Sequence, residues 1–96
     1  MEKNKRFSKL ELFSLRNNIK INNLISDILT MPSKFTDGYL RFSCPLCSEF
    51  VTATNSETNL GRCFRCNKNF NTIDLVMLDK KLNFVDAVRF LQQYQH

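Results

Sequence analysis

The chain has 96 residues with 14 Lys/Arg, 9 Asp/Glu and one His, and its formal net charge is +5. A chain of this length forms one domain with a modest core, and a bound metal helps such a small domain to persist. It has no run of about eighteen apolar residues that would span a membrane, and its charged N-terminus lacks the apolar segment of a secretory signal. The basic surplus favours polyanionic partners, nucleic acid first, and we expect a cytoplasmic protein.

Residues 1–31 are predicted to form a helical N-terminal extension. Ser8 and Glu11 match a capping box, which predicts a helix over about residues 9–17. A second, amphipathic helix is predicted from apolar residues at helical spacing, namely Ile21, Leu24, Ile25, Ile28 and Leu29. Pro32 limits this helix, because the residue before a proline avoids the helical region. The apolar stripe is expected to pack on the zinc ribbon that follows it or on a partner protein.

Residues 39–70 are predicted to form a zinc ribbon. Asp37-Gly38 marks a turn, and the alternation over residues 39–43 predicts a strand that leads into the first pair of cysteines. Residues 51–54 and 59–63 are further strand candidates. The sequence therefore predicts a three-stranded antiparallel sheet with a metal site at one end.

All four cysteines lie in two Cys-x-x-Cys pairs, Cys44/Cys47 and Cys63/Cys66, with fifteen residues between the pairs. Each pair can aim two thiolates at one centre, and this spacing is typical of a structural zinc site in a ribbon. Two disulfides would be typical of a secreted chain, and a redox pair would need only one Cys-x-x-Cys. Four thiolates leave no open position for catalysis, and His96, the last residue, is expected to be a terminal side chain rather than a ligand.

A pair of helices is predicted in the C-terminal segment, residues 71–94. Asn71 or Thr72 can cap a helix that runs to about residue 80, and Asn83 can cap the last helix. The apolar positions of that last helix lie on one face, namely Phe84, Ala87, Val88 and Leu91. The predicted fold class is α+β: a single domain over residues 1–96, with a zinc ribbon flanked by helices.

Several motifs carry a resemblance to a known family. They read Cys63-Phe64-x-Cys66, then Asn71-x-Ile73-Asp74-Leu75-Val76-Met77, then Leu82-x-Phe84-x-Asp86-Ala87-Val88-x-x-Leu91, with Cys44-Pro45-x-Cys47 before them. This pattern resembles the N-terminal zinc-binding domain of bacterial and phage DNA primases. The bacterial members usually have His at the position of Cys47, whereas phage primase–helicases of similar design use four cysteines.

The resemblance implies a role in DNA replication without chemistry of its own. In the family this domain binds single-stranded template and helps a separate catalytic domain begin a primer. We therefore expect a non-enzymatic, small free-standing protein that acts in trans with a polymerase, primase or helicase, encoded by a phage or mobile element. It is expected to need neither a membrane nor a small-molecule substrate. The polar end after the last helix favours this reading over a fragment of a longer primase.

Basic and aromatic residues alternate around the cysteine pairs and predict a surface for single-stranded DNA. The predicted phosphate contacts are Arg41, Arg62, Arg65 and Lys68, and the predicted stacking partners of bases are Tyr39, Phe50 and Phe64. Two alternatives stay open: Phe64 packs beneath the metal, or Arg62 and Arg65 only shield the thiolates. Phe42 shares the face of Leu40 and is predicted to lie in the core.

A rival hypothesis is an adaptor that docks on a replication enzyme without binding DNA. The chain has nine Phe, and some of its apolar residues exceed what a small core can hide, among them Leu12, Phe13, Leu15, Phe90 and Tyr94. Exposed apolar surface of this kind marks a partner site.

Overall fold

The computed structural model describes residues 7–95; residues 1–6 and His96, including the expected terminal role of His96, lie outside the described part. In chain order the elements are α1 (Lys9–Asn18), α2 (Ile21–Asn23) with a π-helical turn (Leu24–Ile28), β1 (Ser33–Thr36), β2 (Tyr39–Phe42), β3 (Thr52–Asn55), β4 (Leu60–Cys63), β5 (Lys68–Phe70), α3 (Thr72–Lys80) and α4 (Phe84–Gln92). Two small antiparallel sheets and four helices confirm the α+β class.

Helix α1 begins at its predicted cap. The Glu11 N–H donates to Ser8 Oγ over 3.0 Å, which satisfies one of the free donors at the helix start. The Glu11 carboxylate does not reach back to the cap, because it accepts from Gln92 Nε2 at 2.6 Å instead. The side chain of Leu15 is fully buried, so the inner face of α1 joins the core.

The second helix is shorter and wider than the sequence predicted. Its π-helical turn is closed by the Leu29 N–H, which donates to the Leu24 carbonyl five residues earlier at 2.8 Å. Leu24 and Ile25 are fully buried, which confirms the predicted apolar stripe as core. Thr30 takes a left-handed conformation with φ 49°, and the chain leaves the helix there, ahead of Pro32.

A three-stranded antiparallel sheet is present, but its strands are β3, β4 and β5. The strand predicted over residues 39–43 is β2, and it pairs with β1 in a separate two-stranded sheet. The reason lies in the turn, since Asp37 and Gly38 both have positive φ, 55° and 81°, which suits a tight hairpin between β1 and β2. Consequently β1 begins at Ser33, before the predicted start of the ribbon at residue 39.

Thr52 joins the two sheets through its side chain. Its buried hydroxyl donates to the Phe42 carbonyl at 2.6 Å and accepts from the Phe42 N–H at 2.8 Å. Arg41 Nη1 donates to the Thr52 carbonyl at 2.9 Å. One hydroxyl thus takes the place of a backbone ladder between β2 and β3, and Phe42 is fully buried as predicted.

The C-terminal helices follow the predicted caps. Asn71 and Asp74 form a complete capping box at the start of α3, and Asn83 Oδ1 accepts from the Asp86 N–H at the start of α4. Ala87, Val88 and Leu91 are fully buried, whereas Phe84 is partly exposed. Within residues 7–95, no helix has the length and apolarity needed to cross a membrane.

Asn59 ties the N-terminal helices to the ribbon. Its Nδ2 donates to the carbonyls of Arg16 and Ile19 at 2.7 and 2.8 Å, and its Oδ1 accepts from the Ile21 N–H at 2.8 Å. Thr72 Oγ1 adds a fourth link, because it donates to the Leu15 carbonyl at 2.9 Å. The helical extension is therefore bonded to the ribbon and to α3.

Candidate metal centre and nucleic-acid interface

The first Cys-x-x-Cys loop, at residues 44–47, is shaped by bonds to Cys44. The Leu46 N–H points at Cys44 Sγ over 3.4 Å, and the Ser48 N–H donates to the Cys44 carbonyl at 2.8 Å. Ser48 has φ 67°, so the chain reverses directly after Cys47. This backbone turns both sulfurs of the loop in one direction.

The second loop, at residues 63–66, repeats this design. The Cys66 N–H points at Cys63 Sγ over 3.4 Å, and the next residue, Asn67, has φ 56°. Cys63 is fully buried at the end of β4, whereas Cys66 is partly exposed. The two loops therefore face each other as similar halves of one site.

The sulfur positions fit a tetrahedral zinc ion. All four Sγ atoms lie within 4.8 Å of one another, with Cys44 to Cys66 at 3.9 Å and Cys47 to Cys63 at 3.7 Å. Zinc–sulfur bonds of about 2.3 Å in a tetrahedron imply sulfur–sulfur separations of about 3.8 Å. A disulfide would need about 2.05 Å, and all four cysteines are free. The donor set and its spacing thus match one structural zinc.

Three of the four thiols have shifted pKa values in the metal-free protein. Burial opposes ionisation of Cys63, yet the Cys66 N–H and the thiols of Cys44 and Cys47 donate to it and lower its pKa to about 7. Burial raises the pKa of Cys44. Burial and the three neighbouring thiols raise the pKa of Cys66 to about 12. Of these three thiols, Cys63 is therefore the one that ionises first in the metal-free protein.

The outer face of the sheets forms a groove that contains four of the seven residues predicted to bind DNA. Tyr39, Arg41, Arg62 and Phe64 all line this groove, whose volume is about 550 Å³. Tyr39 and Phe64 are 52% and 51% exposed, so both rings are accessible. The two arginines face the groove with no carboxylate among the described residues that line it. We call this feature the sheet groove.

Arg62 is held in place within the sheet groove. Its Nη1 donates to Asn69 Oδ1 at 3.2 Å and its Nη2 to Asn67 Oδ1 at 3.3 Å. Its guanidinium carbon lies 5.7 Å from the centre of the Phe64 ring, within cation–π range. Phe64 therefore packs beside Arg62 at the surface rather than beneath the metal, with half of its side chain in solvent.

Arg41 is more constrained than Arg62. Its Nε donates to Thr36 Oγ1 at 2.9 Å, and Asp37 lies 3.9 Å from its Nη2. Together with the bond from Nη1 to Thr52, these contacts give Arg41 a structural part in joining β2 to β3. Its remaining donor capacity faces the sheet groove.

Three residues predicted to bind DNA lie outside the sheet groove. Arg65 forms an exposed ion pair with Glu49 at 3.5 Å. Lys68 is the cross-strand partner of buried Cys63, so both side chains lie on the face of the sheet that is opposite to the groove. Phe50 lies under Lys34 Nζ, 5.6 Å from the ring centre.

Lys34 and Asn69 were missed by the sequence prediction. Lys34 is the cross-strand partner of Arg41, which places both side chains on one face of the hairpin. Asn69 is opposite Arg62 and lines the sheet groove beside it. Reading Asp37-Gly38 as the centre of a hairpin would have revealed Lys34, because residues 33–36 then pair with residues 39–42.

The comparisons with known proteins agree with this site. The family model described as the CHC2 zinc finger, the zinc ribbon of DnaG, matches residues 8–96. Comparisons with curated proteins and with solved structures returned no match. The ligand position that is usually His in the bacterial members is Cys47 here, so the cluster has four thiolates. The chain belongs to the CHC2 zinc-finger family, the N-terminal zinc-ribbon domain of DnaG-type primases, and its four clustered cysteines form a single structural zinc site.

Proposed function

We propose that this protein binds single-stranded DNA in the sheet groove and assists primer synthesis without catalysing it. The main support is the convergence of two arginines and two half-exposed aromatic rings from β2, β4 and the second cysteine loop. The zinc ribbon is a non-catalytic domain of primases, which agrees with this role. The catalytic carboxylates would be supplied by a polymerase, primase or helicase acting in trans.

The chemistry of the sheet groove favours single strands over duplex DNA. Arg62 and Arg41 would contact phosphates, while the rings of Tyr39 and Phe64 would stack on bases. Stacking of this kind requires bases that are already unpaired, and it tolerates many sequences because every base has a π-face. Asn69 adds an amide beside Arg62 that can bond to a base edge.

The zinc ion would stabilise this surface rather than contact the DNA. Arg62 directly precedes Cys63, and Phe64 lies between the ligands Cys63 and Cys66. The bound metal supplies four short bonds that hold the second loop rigid. Loss of zinc should therefore disturb both groove residues together.

The setting that we propose is the cytoplasm, with a phage or mobile element as the source. Reduced thiolates require a reducing compartment, and the four-cysteine ligand set is the one that phage primase–helicases use. The rival arrangement is the same domain working in cis within a longer primase.

A fluorescence-anisotropy titration with a labelled single-stranded oligonucleotide tests the DNA-binding proposal. We expect Arg62→Ala to weaken binding and to reduce the salt dependence, by about 0.7 in the slope of log affinity against log salt. Phe64→Ala should cost about 1–3 kcal/mol of binding free energy if a base stacks on the ring. An unlabelled duplex should compete poorly.

Two matched variants serve as controls. Arg89→Ala removes an exposed cation from α4, and it should leave the affinity unchanged. Lys68→Ala tests the opposite face of the sheet, so a loss as large as that of Arg62→Ala would move the interface away from the groove. Equal affinity of wild type and Arg62→Ala/Phe64→Ala would contradict the proposal.

The partner in trans is tested by a primer-synthesis assay. A polymerase or primase recovered by pull-down from the native host should make more primers when the protein is added. Groove variants should lose this stimulation without losing the partner. If they keep it, the adaptor hypothesis without DNA binding is favoured instead.

A further inference from the structure

Helix α1 has a second apolar face that points into solvent. Its inner face is buried through Leu15, whereas Leu10 and Phe13 on the outer face are 77% and 56% exposed. These two side chains are three residues apart, so they are neighbours on one helix surface. With the partly buried Leu12 they line a shallow depression of about 410 Å³, which we call the α1 face.

Among the residues that the structure describes, the charged side chains that line the α1 face are both positive. Lys9 and Arg16 line it at its two ends. Within residues 7–95 neither of these cations forms an ion pair. Glu11 is the one acidic residue of α1, and its carboxylate accepts from Gln92 of α4 instead. The α1 face therefore combines an apolar centre with a cation at each end, and no carboxylate of residues 7–95 pairs with either cation.

We propose that the α1 face binds an acidic amphipathic peptide segment of a partner protein. Apolar side chains of that segment would pack between Leu10 and Phe13, and its carboxylates would meet Lys9 and Arg16. Charge complementarity of this kind selects the partner and speeds the encounter. An apolar stripe with complementary charges is also the usual pattern by which a helical segment is recognised.

The same features disfavour the other occupants. A second copy of the chain would bring Lys9 and Arg16 against their own counterparts, and like charges across an interface are costly. Single-stranded DNA would satisfy the cations, and one base could stack on Phe13, but Leu10, the more exposed of the two apolar side chains, would have no partner. The acidic peptide alone uses both the apolar centre and the charged ends.

The α1 face is separate from the sheet groove. None of its residues lines the groove, which is built from β2, β3, β4, β5 and the second cysteine loop. The inference therefore does not rest on DNA binding, and the protein could hold DNA and a partner at the same time. The two proposals can fail independently in one set of binding measurements.

Titration of the zinc-loaded full chain with two designed peptides tests the inference. Both peptides have about 15 residues and the same helical pattern of Leu, and they carry either Glu or Lys on the flanks. We expect saturable binding of the Glu peptide and none of the Lys peptide, followed by amide chemical shifts that map to α1. Leu10→Ser/Phe13→Ser should weaken the Glu peptide by about tenfold or more.

A matched control removes apolar surface elsewhere. Phe35 of β1 and Leu78 of α3 are 67% and 37% exposed, so Phe35→Ser/Leu78→Ser should leave peptide binding unchanged. Zinc content and thermal unfolding confirm that each variant is folded. If Leu10→Ser/Phe13→Ser does not fold, the charge-reversal variant Lys9→Glu/Arg16→Glu tests peptide binding instead, because it replaces only surface cations.

Charge reversal gives the sharpest test. Lys9→Glu/Arg16→Glu should lose the Glu peptide and gain the Lys peptide, whereas Arg62→Ala should change neither. The proposal is overturned if the Glu peptide does not bind, or if its affinity survives the charge reversal. It is also overturned if the reversal weakens oligonucleotide binding as much as Arg62→Ala does, or if Leu10→Ser/Phe13→Ser merely turns a dimer into a monomer in sedimentation.

Discussion

The helical half and the metal end of this domain are held together by different forces. Helices α1, α3 and α4 meet in an apolar core, where Leu15, Leu75 and Leu91 have no exposed surface. Around the cysteine loops the apolar side chains are exposed instead, at 48% for Leu46 and 51% for Phe64. Burial of apolar surface stabilises the first region, and four metal–sulfur bonds stabilise the second. A small domain thus builds a surface loop region that apolar packing alone would not order.

The largest effect should come from removal of one zinc ligand, which destabilises the metal end more than the helical half. In Cys47→Ala we expect zinc binding to be lost, and with it most of a contribution on the order of 10 kcal/mol, which is typical of structural zinc sites. Amide hydrogen exchange should show loss of protection over residues 44–51 and 63–70. Protection in α3 and α4 should fall less, since these helices are held by fully buried apolar side chains such as Leu75 and Leu91.

Cys47→His is the matched control for that variant. It introduces the ligand type that bacterial members usually have, so zinc should still bind, and atomic absorption should find one ion per chain. A uniform loss of protection in Cys47→Ala, with helices and loops opening together, would contradict the division into two regions.

The second-largest effect should come from acidification, which lowers the affinity of the four cysteines for zinc. Zinc needs thiolates, so protons compete with it. We expect the affinity, measured by competition with a coloured chelator, to fall from about pH 8 to about pH 6, because below its pKa of about 7 Cys63 is also protonated. Near pH 8 the first thiolate is already present, so calorimetry in two buffers should find fewer than four protons released per zinc. Release of four would contradict the lowered pKa.

In the metal-free protein, Cys63 and Cys66 should change the stability of the fold in opposite directions as the pH rises. The pKa of Cys63 lies below its ordinary value of 9.0, so its contribution is full above 9.0 and is lost as the pH falls through about 7. The pKa of Cys66 is raised to about 12, so its contribution is full below 9.0 and is lost as the pH rises through 12. Chelator-treated protein should therefore be most stable near pH 9, where both contributions are close to full.

The metal site was predictable because its signals are local. Each cysteine loop spans four residues, and the bonds that shape it come from neighbours such as Leu46 and Ser48. The same holds for the helix caps at Ser8, Asn71 and Asn83, where each side chain accepts from an N–H three residues on. Hydrogen bonds between residues that are close in the chain can be predicted from the sequence.

The strand pairing was less predictable, because it depends on contacts between distant segments. The hydroxyl of Thr52 replaces a ladder to β2, and no residue pattern announces that role. Arg62 and Phe64 reach the sheet groove only because β4 lies between β3 and β5. Lys68 lies on the face of the sheet opposite to Arg62, since its partner across the sheet is buried Cys63. The DNA-binding residues remain a prediction that rests on this geometry.

Asn59 offers a further test of the difference between the helical half and the metal end, because its side chain links the two regions. In Asn59→Ala three hydrogen bonds across the interface are lost, and the carbonyls of Arg16 and Ile19 are left without partners. We expect a loss of about 2–4 kcal/mol in the free energy of unfolding, measured with denaturant. The amides of α1 and α2 should lose more protection than those of β4.

Part of that loss comes from the backbone alone. Asn59 has φ 57°, a conformation in which alanine is strained. Asn67→Ala is the matched control, because Asn67 has φ 56° but is exposed. The difference between the two variants measures the buried hydrogen bonds, and equal losses would contradict the linking role of Asn59.

Gly61 of β4 packs directly against the buried ring of Phe42, and its substitution should have the smallest effect of this series. A Cβ at Gly61 would lie 2.9 and 3.0 Å from the Cζ and Cε1 atoms of Phe42, closer than carbon atoms pack. We expect Gly61→Ala to cost about 1–3 kcal/mol through overpacking, seen as a lower thermal midpoint with zinc still bound.

Two further variants separate crowding from backbone strain at glycine. Gly38→Ala has nothing within 4 Å of the new Cβ, so any cost there comes from its φ of 81°. In a Phe42→Leu background the smaller side chain leaves room, so Gly61→Ala should cost less than in the wild type. Additive costs in the double variant would show that Phe42 does not limit position 61. A clear coupling between positions 42 and 61 would show that the buried ring of Phe42 positions β4, the strand that carries the zinc ligand Cys63.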